Sequence, residues 1–249
     1  RRISTDAREL LYAEALLAFA TADYAKTVEI LPRYFERVPT DARAHYYLGH
    51  ALYHLDRFVE AEASLTMALK YYLHQPAIWN MRGIVRRRLK QLDAAIEDFT
   101  RALAVTAKGN DAYFGRAQAR YDKGDYPGAI EDLNHWLALS PNCVQGYALR
   151  GEVWLRQENP DAAIADYSRS IELGLVKPES YLNRGIAYRK KGDIERAIAD
   201  YTKAIELQPD YAEAWHNRGI ARLGSRSFDL AIVDFTRVID LRPKWGAPY

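Results

Sequence analysis

The sequence predicts an all-α protein, an α-solenoid of helix-turn-helix repeats. A gapless 34-residue period runs through most of the 249-residue chain. Five residues of its last unit, Trp215, Gly219, Ala231, Phe235 and Pro243, recur 34 positions upstream as Tyr181, Gly185, Ala197, Tyr201 and Pro209. A helix pair of this length cannot bury its own apolar face, so each repeat must stack on its neighbours.

The period divides the chain into seven repeats, which we expect to form one solenoid domain over residues 1–249. Their frames are 8–41, 42–75, 76–109, 110–143, 144–177, 178–211 and 212–245. Residues 246–249 begin a truncated eighth repeat, with Tyr249 at its position 4. Because there is also no initiator Met, we expect a segment of a longer protein, with a further domain possible beyond either end.

Small residues at two positions of the repeat indicate that its two helices cross closely. Position 8 is Gly49, Gly83, Gly151, Gly185 or Gly219, and position 20 is Ala61, Ala95, Ala129, Ala163, Ala197 or Ala231. Gly inside a helix costs roughly 1 kcal/mol relative to Ala. It is therefore expected where a side chain would collide with the packed neighbour.

Proline and glycine mark the predicted helix ends. Pro76 and Pro178 suit a first helical turn. The Lys-Gly-Asp sequences at 123–125 and 191–193 are typical of a helix C-cap followed by a new helix start. The second helices are closed by Pro39, Pro141, Pro209 and Pro243.

This pattern resembles the tetratricopeptide repeat (TPR) family. The family has a bulky residue at position 4, Gly or Ala at 8, Ala at 20 and 27, an aromatic at 24 and Pro at 32. Repeat 6 meets it with Tyr181, Gly185, Ala197, Tyr201, Ala204 and Pro209. Repeat 3 has Ala107 in place of the proline, and repeats 1 and 2 match less well. The resemblance covers nearly the whole chain and implies a right-handed superhelix.

A second pattern pairs arginine with aspartate. Position 7 is Arg and position 23 is Asp in repeats 3 to 7, whereas repeats 1 and 2 have neither. The pairs are Arg82 with Asp98, Arg116 with Asp132, Arg150 with Asp166, Arg184 with Asp200 and Arg218 with Asp234. Since the two residues occur or are missing together, we predict ion pairs within each repeat. The alternative is a row of arginines that grips an anionic ligand.

The resemblance also implies a concave groove, lined by positions 2, 5, 6, 9, 12 and 13 of the first helices. The candidate ligand-binding residues are Arg43, Tyr46, His50, Tyr53, His54, Asn80, Arg87, Arg88, Phe114, Gln118, Tyr121, Arg156, Asn183, Arg189 and Asn217. Aromatic and cationic groups alternate in repeats 2 to 4, which suits an acidic peptide with apolar anchors. Helix dipoles alone could also explain the cations near helix C-termini.

These residues predict a protein-protein interaction scaffold that binds a protein or peptide segment in this groove, across repeats 2 to 4. The alternative is a regulatory or sensor arm of a larger enzyme whose catalytic domain lies outside the segment. Self-association is a third possibility, because Ile232, Val233 and Ile239 would leave the last second helix apolar and uncovered.

Other function classes find little support in the sequence. His50 and His54 could share a metal at their i, i+4 spacing, but no third ligand is fixed nearby, so we expect neither a metal nor a cofactor. Cys143 shows no sign of activation, and no catalytic site is predicted. A net charge of +2 does not require a nucleic-acid-binding face. No apolar run could span a membrane, and we expect a cytoplasmic protein.

Overall fold

A computed structural model of the chain describes residues 2–106 and 110–242. In those residues it contains fourteen α-helices and no strand, which confirms the all-α prediction. The helices are α1 (Arg2–Ala20), α2 (Tyr24–Phe35), α3 (Ala42–His54), α4 (Phe58–Tyr71), α5 (Pro76–Arg88), α6 (Leu92–Val105), α7 (Asn110–Lys123), α8 (Tyr126–Leu139), α9 (Val144–Arg156), α10 (Pro160–Glu172), α11 (Pro178–Lys191), α12 (Ile194–Leu207), α13 (Ala212–Gly224) and α14 (Phe228–Leu241).

The chain divides into two compact units. Unit 1 is Arg1–Leu139 and unit 2 is Ser140–Tyr249. Within each unit every helix packs on the helices that precede and follow it in the sequence, as helical hairpins do when they stack. The single solenoid domain over residues 1–249 stays a prediction. Ala107, Pro243 and the expected eighth repeat at 246–249 lie outside the described residues.

The glycines at position 8 lie directly against large side chains of the second helix. A Cβ atom added at Gly83 would lie 2.9 Å from the ring of Phe99, and one at Gly185 would lie 2.7 Å from the ring of Tyr201. Gly219 and Phe235 repeat this contact in the last hairpin. The close helix crossing predicted from the glycines is therefore confirmed.

A left-handed residue at position 15 makes the turn inside every repeat. Gly124 and Gly192 have φ angles of 86° and 90°, and the aspartates that follow them cap the next helix. Both Lys-Gly-Asp turns are thus confirmed. Side chains other than glycine take the same conformation in the other five repeats, at Ala22, Asp56, Lys90, Glu158 and Arg226. The sequence identified only the two glycine turns.

Prolines begin some helices and follow others. Pro76 and Pro178 are the first residues of α5 and α11, as predicted, and Pro160 begins α10 in the same way. Pro39, Pro141 and Pro209 follow the ends of α2, α8 and α12. Pro32 lies inside α2, a position that the sequence reasoning did not anticipate.

Arg–Asp pairs join the two helices of repeats 3 to 7. In each pair the guanidinium donates two hydrogen bonds to the carboxylate, at donor–acceptor distances between 2.6 and 3.1 Å. All five aspartates are buried. The predicted pairing within repeats is confirmed, and these guanidinium groups are not available as a row for an anionic ligand.

Three further contacts strengthen the pairs. In repeats 3, 4, 6 and 7 the arginine also donates to a hydroxyl of the preceding second helix, at Thr66, Thr100, Ser168 or Thr202. It lies over the ring at position 4, with a distance of 4.9 Å between Arg82 and the Trp79 centroid. In three repeats a second arginine, Arg86, Arg120 or Arg222, donates to the same aspartate. Each buried carboxylate thus accepts at least two charge-assisted hydrogen bonds.

Repeat 2 has no such pair, and a cavity lies there instead. Leu48 occupies position 7 and Ser64 occupies position 23 of this repeat. Pro32 replaces the hydroxyl residue at position 25 of the preceding repeat. These three residues line a cavity of about 300 Å³, together with Val28, Leu52, Arg57, Glu60 and Ala63. The apolar side chains leave unfilled the space that guanidinium and carboxylate groups occupy in repeats 3 to 7.

Candidate binding groove

Two adjoining cavities lie along α9 and α11 in unit 2, with volumes of about 400 and 380 Å³. The first is lined by Glu152, Leu155, Arg156, Glu158, Tyr167, Asn183, Ile186 and Lys190. The second is lined by Gln145, Ala148, Leu149, Glu152, Tyr167, Leu175, Lys177, Glu179, Ser180 and Asn183. They share Glu152, Tyr167 and Asn183, so they form one continuous depression, which we call the α9–α11 groove.

Helical periodicity places these side chains in rows. On α9 the residues Gln145, Leu149, Glu152 and Arg156 follow one another at intervals of three or four, and so lie on one face of the helix. Most lining residues occupy positions 2, 5, 6, 9, 12 and 13. These are the positions at which the family resemblance implies a groove.

The α9–α11 groove combines an apolar floor with charges of both signs. The ring of Tyr167 is buried, and Leu155 and Ile186 are partly buried beside it. The acidic lining residues are Glu152, Glu158 and Glu179, and the basic ones are Arg156, Lys177 and Lys190. Because the charges balance, the groove suits a segment that offers an apolar side chain and polar groups of both signs.

The structure brings only some of the predicted groove residues of unit 2 together. Arg156 and Asn183 line the cavities. Arg189 lies beside Tyr201 instead; burial raises the pKa of that phenol, and the Arg189 guanidinium offsets part of the rise. Asn217 donates a hydrogen bond of 2.8 Å to the carbonyl oxygen of Glu213 in its own helix.

In unit 1, a cluster of rings joins α1, α2 and α3. The rings of Tyr24 and His54 are stacked with 4.2 Å between centroids, and His50 lies 5.1 Å from His54. The ring centroids of Phe19 and Tyr46 lie 5.1 and 5.8 Å from that of His50. Burial lowers the pKa of His50, and the nearby His54 lowers it further. Both histidines are thus occupied by aromatic neighbours of their own chain.

Further predicted residues of unit 1 also contact their own chain. Arg87 donates a hydrogen bond of 3.0 Å to Asp122 of α7. The ring of Phe114 packs on Trp136 of α8, with 4.2 Å between centroids. These contacts use side chains that were expected to face a ligand.

The remaining predicted residues of unit 1 include some that contact neighbouring rings and some that are exposed. The ring of Tyr53 contacts Phe58, and the ring of Tyr121 contacts Tyr126. Asn80 and Gln118 are partly buried, whereas Arg43 and Arg88 are exposed. The prediction that repeats 2 to 4 hold the ligand is not tested by these contacts and stays a prediction.

Sequence reasoning missed several lining residues of the α9–α11 groove. Glu152 and Ile186 occupy position 9 and Leu155 occupies position 12, so the repeat frame itself could have identified them. Tyr167 lies at position 24 on the second helix, and the frame predicts it as core. Its ring forms the floor of the α9–α11 groove because the side chains above it leave space.

Residues 2–106 and 110–242 contain neither a metal-binding cluster nor a membrane-spanning helix. No group of three or more His, Cys, Asp or Glu side chains in these ranges is arranged to hold a metal ion. None of the helices there is both long and apolar enough to cross a lipid bilayer.

Comparison with known families identifies the repeat. A model described as "Tetratricopeptide repeat" matches residues 12–77 and 80–142, which is more than half of the chain. A second model, described as "TPR repeat", matches residues 185–224. No curated protein matches the sequence.

Solved structures agree in fold. The C-terminal part of a TPR repeat-containing protein from Cytophaga hutchinsonii has a TM-score of 0.79 and 16% identity, over 94% of this chain and 96% of the other. A tetratricopeptide repeat protein from Parabacteroides merdae has a TM-score of 0.72 and 19% identity, over 95% and 94%. YrrB, described as a TPR protein with an unusual peptide-binding site, has a TM-score of 0.64 and 19% identity, over 72% and 93%. The chain belongs to the tetratricopeptide repeat family.

Proposed function

We propose that this protein is an interaction scaffold that binds an extended protein segment in the α9–α11 groove. The observation that carries the proposal is the pair of adjoining cavities, which together run along two neighbouring first helices. YrrB, which is similar in fold, is described as having a peptide-binding site, and this agrees with a peptide as the class of ligand.

The lining indicates what such a segment would contain. An apolar side chain would enter the first cavity and cover Leu155, Ile186 and the ring of Tyr167. Burying a side chain of that kind contributes about 1.5–3 kcal/mol. Polar groups of the segment would meet Asn183, which lines both cavities and can donate and accept.

Charges at the rim would set the register. Arg156, Glu158 and Lys190 lie at the end of the groove where α9 and α11 finish, and Lys177 and Glu179 lie at the other end, where α11 begins. Because both ends carry charges of both signs, a segment with acidic and basic groups complements this arrangement. Rim charges of this kind affect association rate and specificity more than total affinity.

The test begins with peptides selected from a random library for binding to the 249-residue chain, whose affinities are then measured by fluorescence anisotropy. The variant Asn183→Ala/Lys190→Glu should weaken binding at least about tenfold, a loss of 1.4 kcal/mol. Lys203→Glu is the matched control, because it reverses the same charge on an exposed residue of α12 that lines neither cavity.

Two results would count against the proposal. Selected peptides that bind the groove variant and the control equally well would remove the α9–α11 groove as the site. If Tyr53→Ala/Arg87→Glu weakened binding instead, the site would lie on α3 and α5, where the sequence first placed it.

A further inference from the structure

The cavity in repeat 2 occupies a place that repeat 3 fills with polar side chains. Five of its lining residues, Val28, Pro32, Leu48, Leu52 and Ser64, correspond 34 positions later to Glu62, Thr66, Arg82, Arg86 and Asp98. The five later residues form one network of hydrogen bonds. Arg82 donates to Asp98 and Thr66, and Arg86 donates to Asp98 and Glu62. The charged side chains of this network are between 1% and 22% exposed, so they close the cleft between α4 and α6.

Repeat 2 replaces the whole network and leaves the equivalent cleft open. Four of its five residues are apolar and one is serine, so no member of the network remains as an unpaired charge. The cavity of about 300 Å³ opens to solvent, because Pro32 on α2 and Ala63 on α4 are both exposed. Close packing inside proteins leaves few voids larger than a water molecule. An open apolar cavity of this size therefore has room for a side chain of another molecule.

The apolar surface continues from the cavity along α4. Met67 and Tyr71 follow Ala63 at intervals of four residues, so the three lie on one face of the helix. The exposed fractions of Met67 and Tyr71 are 36% and 37%. Repeats 3 to 7 have an Arg, Lys or His at the position of Met67, namely Arg101, His135, Arg169, Lys203 and Arg237. Repeat 2 thus has a methionine where each of those repeats has a basic side chain, and its apolar surface is longer for that reason.

A cation lies at the far end of this surface. The ammonium group of Lys70 is 5.7 Å from the centroid of the Tyr71 ring, and it makes no ion pair with any described residue. Lys70 is six residues beyond Ser64, which corresponds to about 9 Å along α4. At the cavity itself, Arg57 and Glu60 already pair with each other at 2.6 Å. Charge complementarity therefore favours a carboxylate beside Lys70.

We propose that the cleft between α2 and α4, which we call the α2–α4 cleft, is a second docking site for a partner protein. The partner places an apolar side chain in the cavity of repeat 2 and an acidic side chain beside Lys70. Their separation of about 9 Å is spanned by about six residues of a helix or about three of an extended segment. An apolar anchor in a pocket, with a charge at its rim, is a common arrangement at protein interfaces. This inference does not depend on the α9–α11 groove, which shares no lining residue with the cavity.

The test uses the 249-residue chain with Asn183→Ala/Lys190→Glu as its background, so that the α9–α11 groove is altered throughout. Peptides are selected from a random library on this background, and their affinities are measured by fluorescence anisotropy. We expect the selected peptides to combine an apolar residue with an acidic one.

Two further changes on the same background test the α2–α4 cleft. Val28→Glu/Pro32→Thr/Leu48→Arg/Leu52→Arg/Ser64→Asp gives repeat 2 the network of repeat 3, and the closed cavity should weaken binding at least about tenfold. Lys70→Glu leaves the cavity open and should weaken the same peptides about tenfold through repulsion of their acidic residue. A peptide with lysine at that residue should regain affinity for Lys70→Glu. Lys203→Glu is the matched control, since it reverses an exposed charge on α12.

Three results would overturn the proposal. One is a selection that yields no binding peptide, and another is a set of peptides that bind both variants as tightly as the control. The third is a mass that rises with concentration in sedimentation equilibrium and returns to the monomer value in the network variant, since the occupant of the cleft would then be a second copy of this chain. Circular dichroism checks that the network variant folds. If it does not, Lys70→Glu with the lysine peptide decides the question alone.

Discussion

The groove positions of unit 1 and of the α9–α11 groove belong to the same repeat frame but are used differently. In unit 1, His54 stacks on Tyr24, and Arg87 binds Asp122. In unit 2, Asn183 and Lys190 line open cavities. The frame therefore identifies a face of the repeat, and neighbouring side chains decide whether that face is free to bind.

The largest effect should come from the Arg–Asp pairs. They occur in both units, so their loss can be compared with the effects of changing either set of groove residues. Asp132→Ala would leave the guanidinium groups of Arg116 and Arg120 partly buried without their carboxylate. We expect a loss of about 3–5 kcal/mol in the free energy of unfolding. Urea denaturation followed by circular dichroism measures it. A loss below about 1 kcal/mol would mean that the pair contributes no more than a surface ion pair.

The next largest effect should come from a groove-position residue of unit 1 that packs on its own chain. Phe114→Ala would remove the ring that packs on buried Trp136, and we expect a loss of about 2–3 kcal/mol, less than for a fully buried ring because Phe114 is partly exposed. The measurement is again urea denaturation, with Leu139→Ala at an exposed apolar residue of α8 as the control. If both changes cost the same, Phe114 would be free to serve a ligand.

A smaller effect should appear as a dependence on pH. Burial lowers the pKa of His50 below its usual 6.5, so the unfolded chain binds a proton more readily than the folded one. The contribution of His50 to the free energy of unfolding is therefore highest above pH 6.5. It decreases as the pH falls toward the lower pKa that His50 has in the folded chain. His50→Phe should therefore reduce the loss of stability between pH 7 and pH 5, measured as thermal unfolding at each pH. An unchanged pH profile would show that His50 does not titrate differently in the two states.

The smallest effect is expected in the α9–α11 groove. Lys190→Ala and Asn183→Ala should change the free energy of unfolding by no more than about 0.5 kcal/mol, as is usual for surface substitutions. Thermal unfolding of both variants beside Phe114→Ala makes the comparison direct. A loss close to that of Phe114→Ala would mean that the groove residues hold the fold together and are not reserved for a ligand.

Sequence reasoning identified what repeats along the chain. The joint occurrence of arginine at position 7 and aspartate at position 23 predicted five ion pairs, and all are present. Gly83 and Gly185 predicted the close crossing of helices. These features depend on two residues of one repeat, so the period itself encodes them.

Features that depend on several neighbours escaped prediction. Arg86 belongs to a cluster of cations in the sequence, yet it donates to Asp98 and pairs with Glu62 of another helix. Lys90 and Arg226 adopt left-handed conformations that their residue types disfavour. The cavities above Tyr167 likewise depend on which side chains of two helices leave space. The position of an open groove therefore follows from the three-dimensional packing of side chains and not from the repeat frame alone.

The most direct measurement of the central claim is a photo-cross-linking experiment with a peptide selected for binding to this chain. A photoreactive group placed at the apolar residue of the peptide should attach to α9 and α11, near Leu155 or Ile186, as mapped by mass spectrometry of the digested product. Unlabelled peptide in excess should abolish the attachment. Cross-links confined to α3, α5 or α7 would contradict the account, because they would place the ligand where the chain already binds its own side chains.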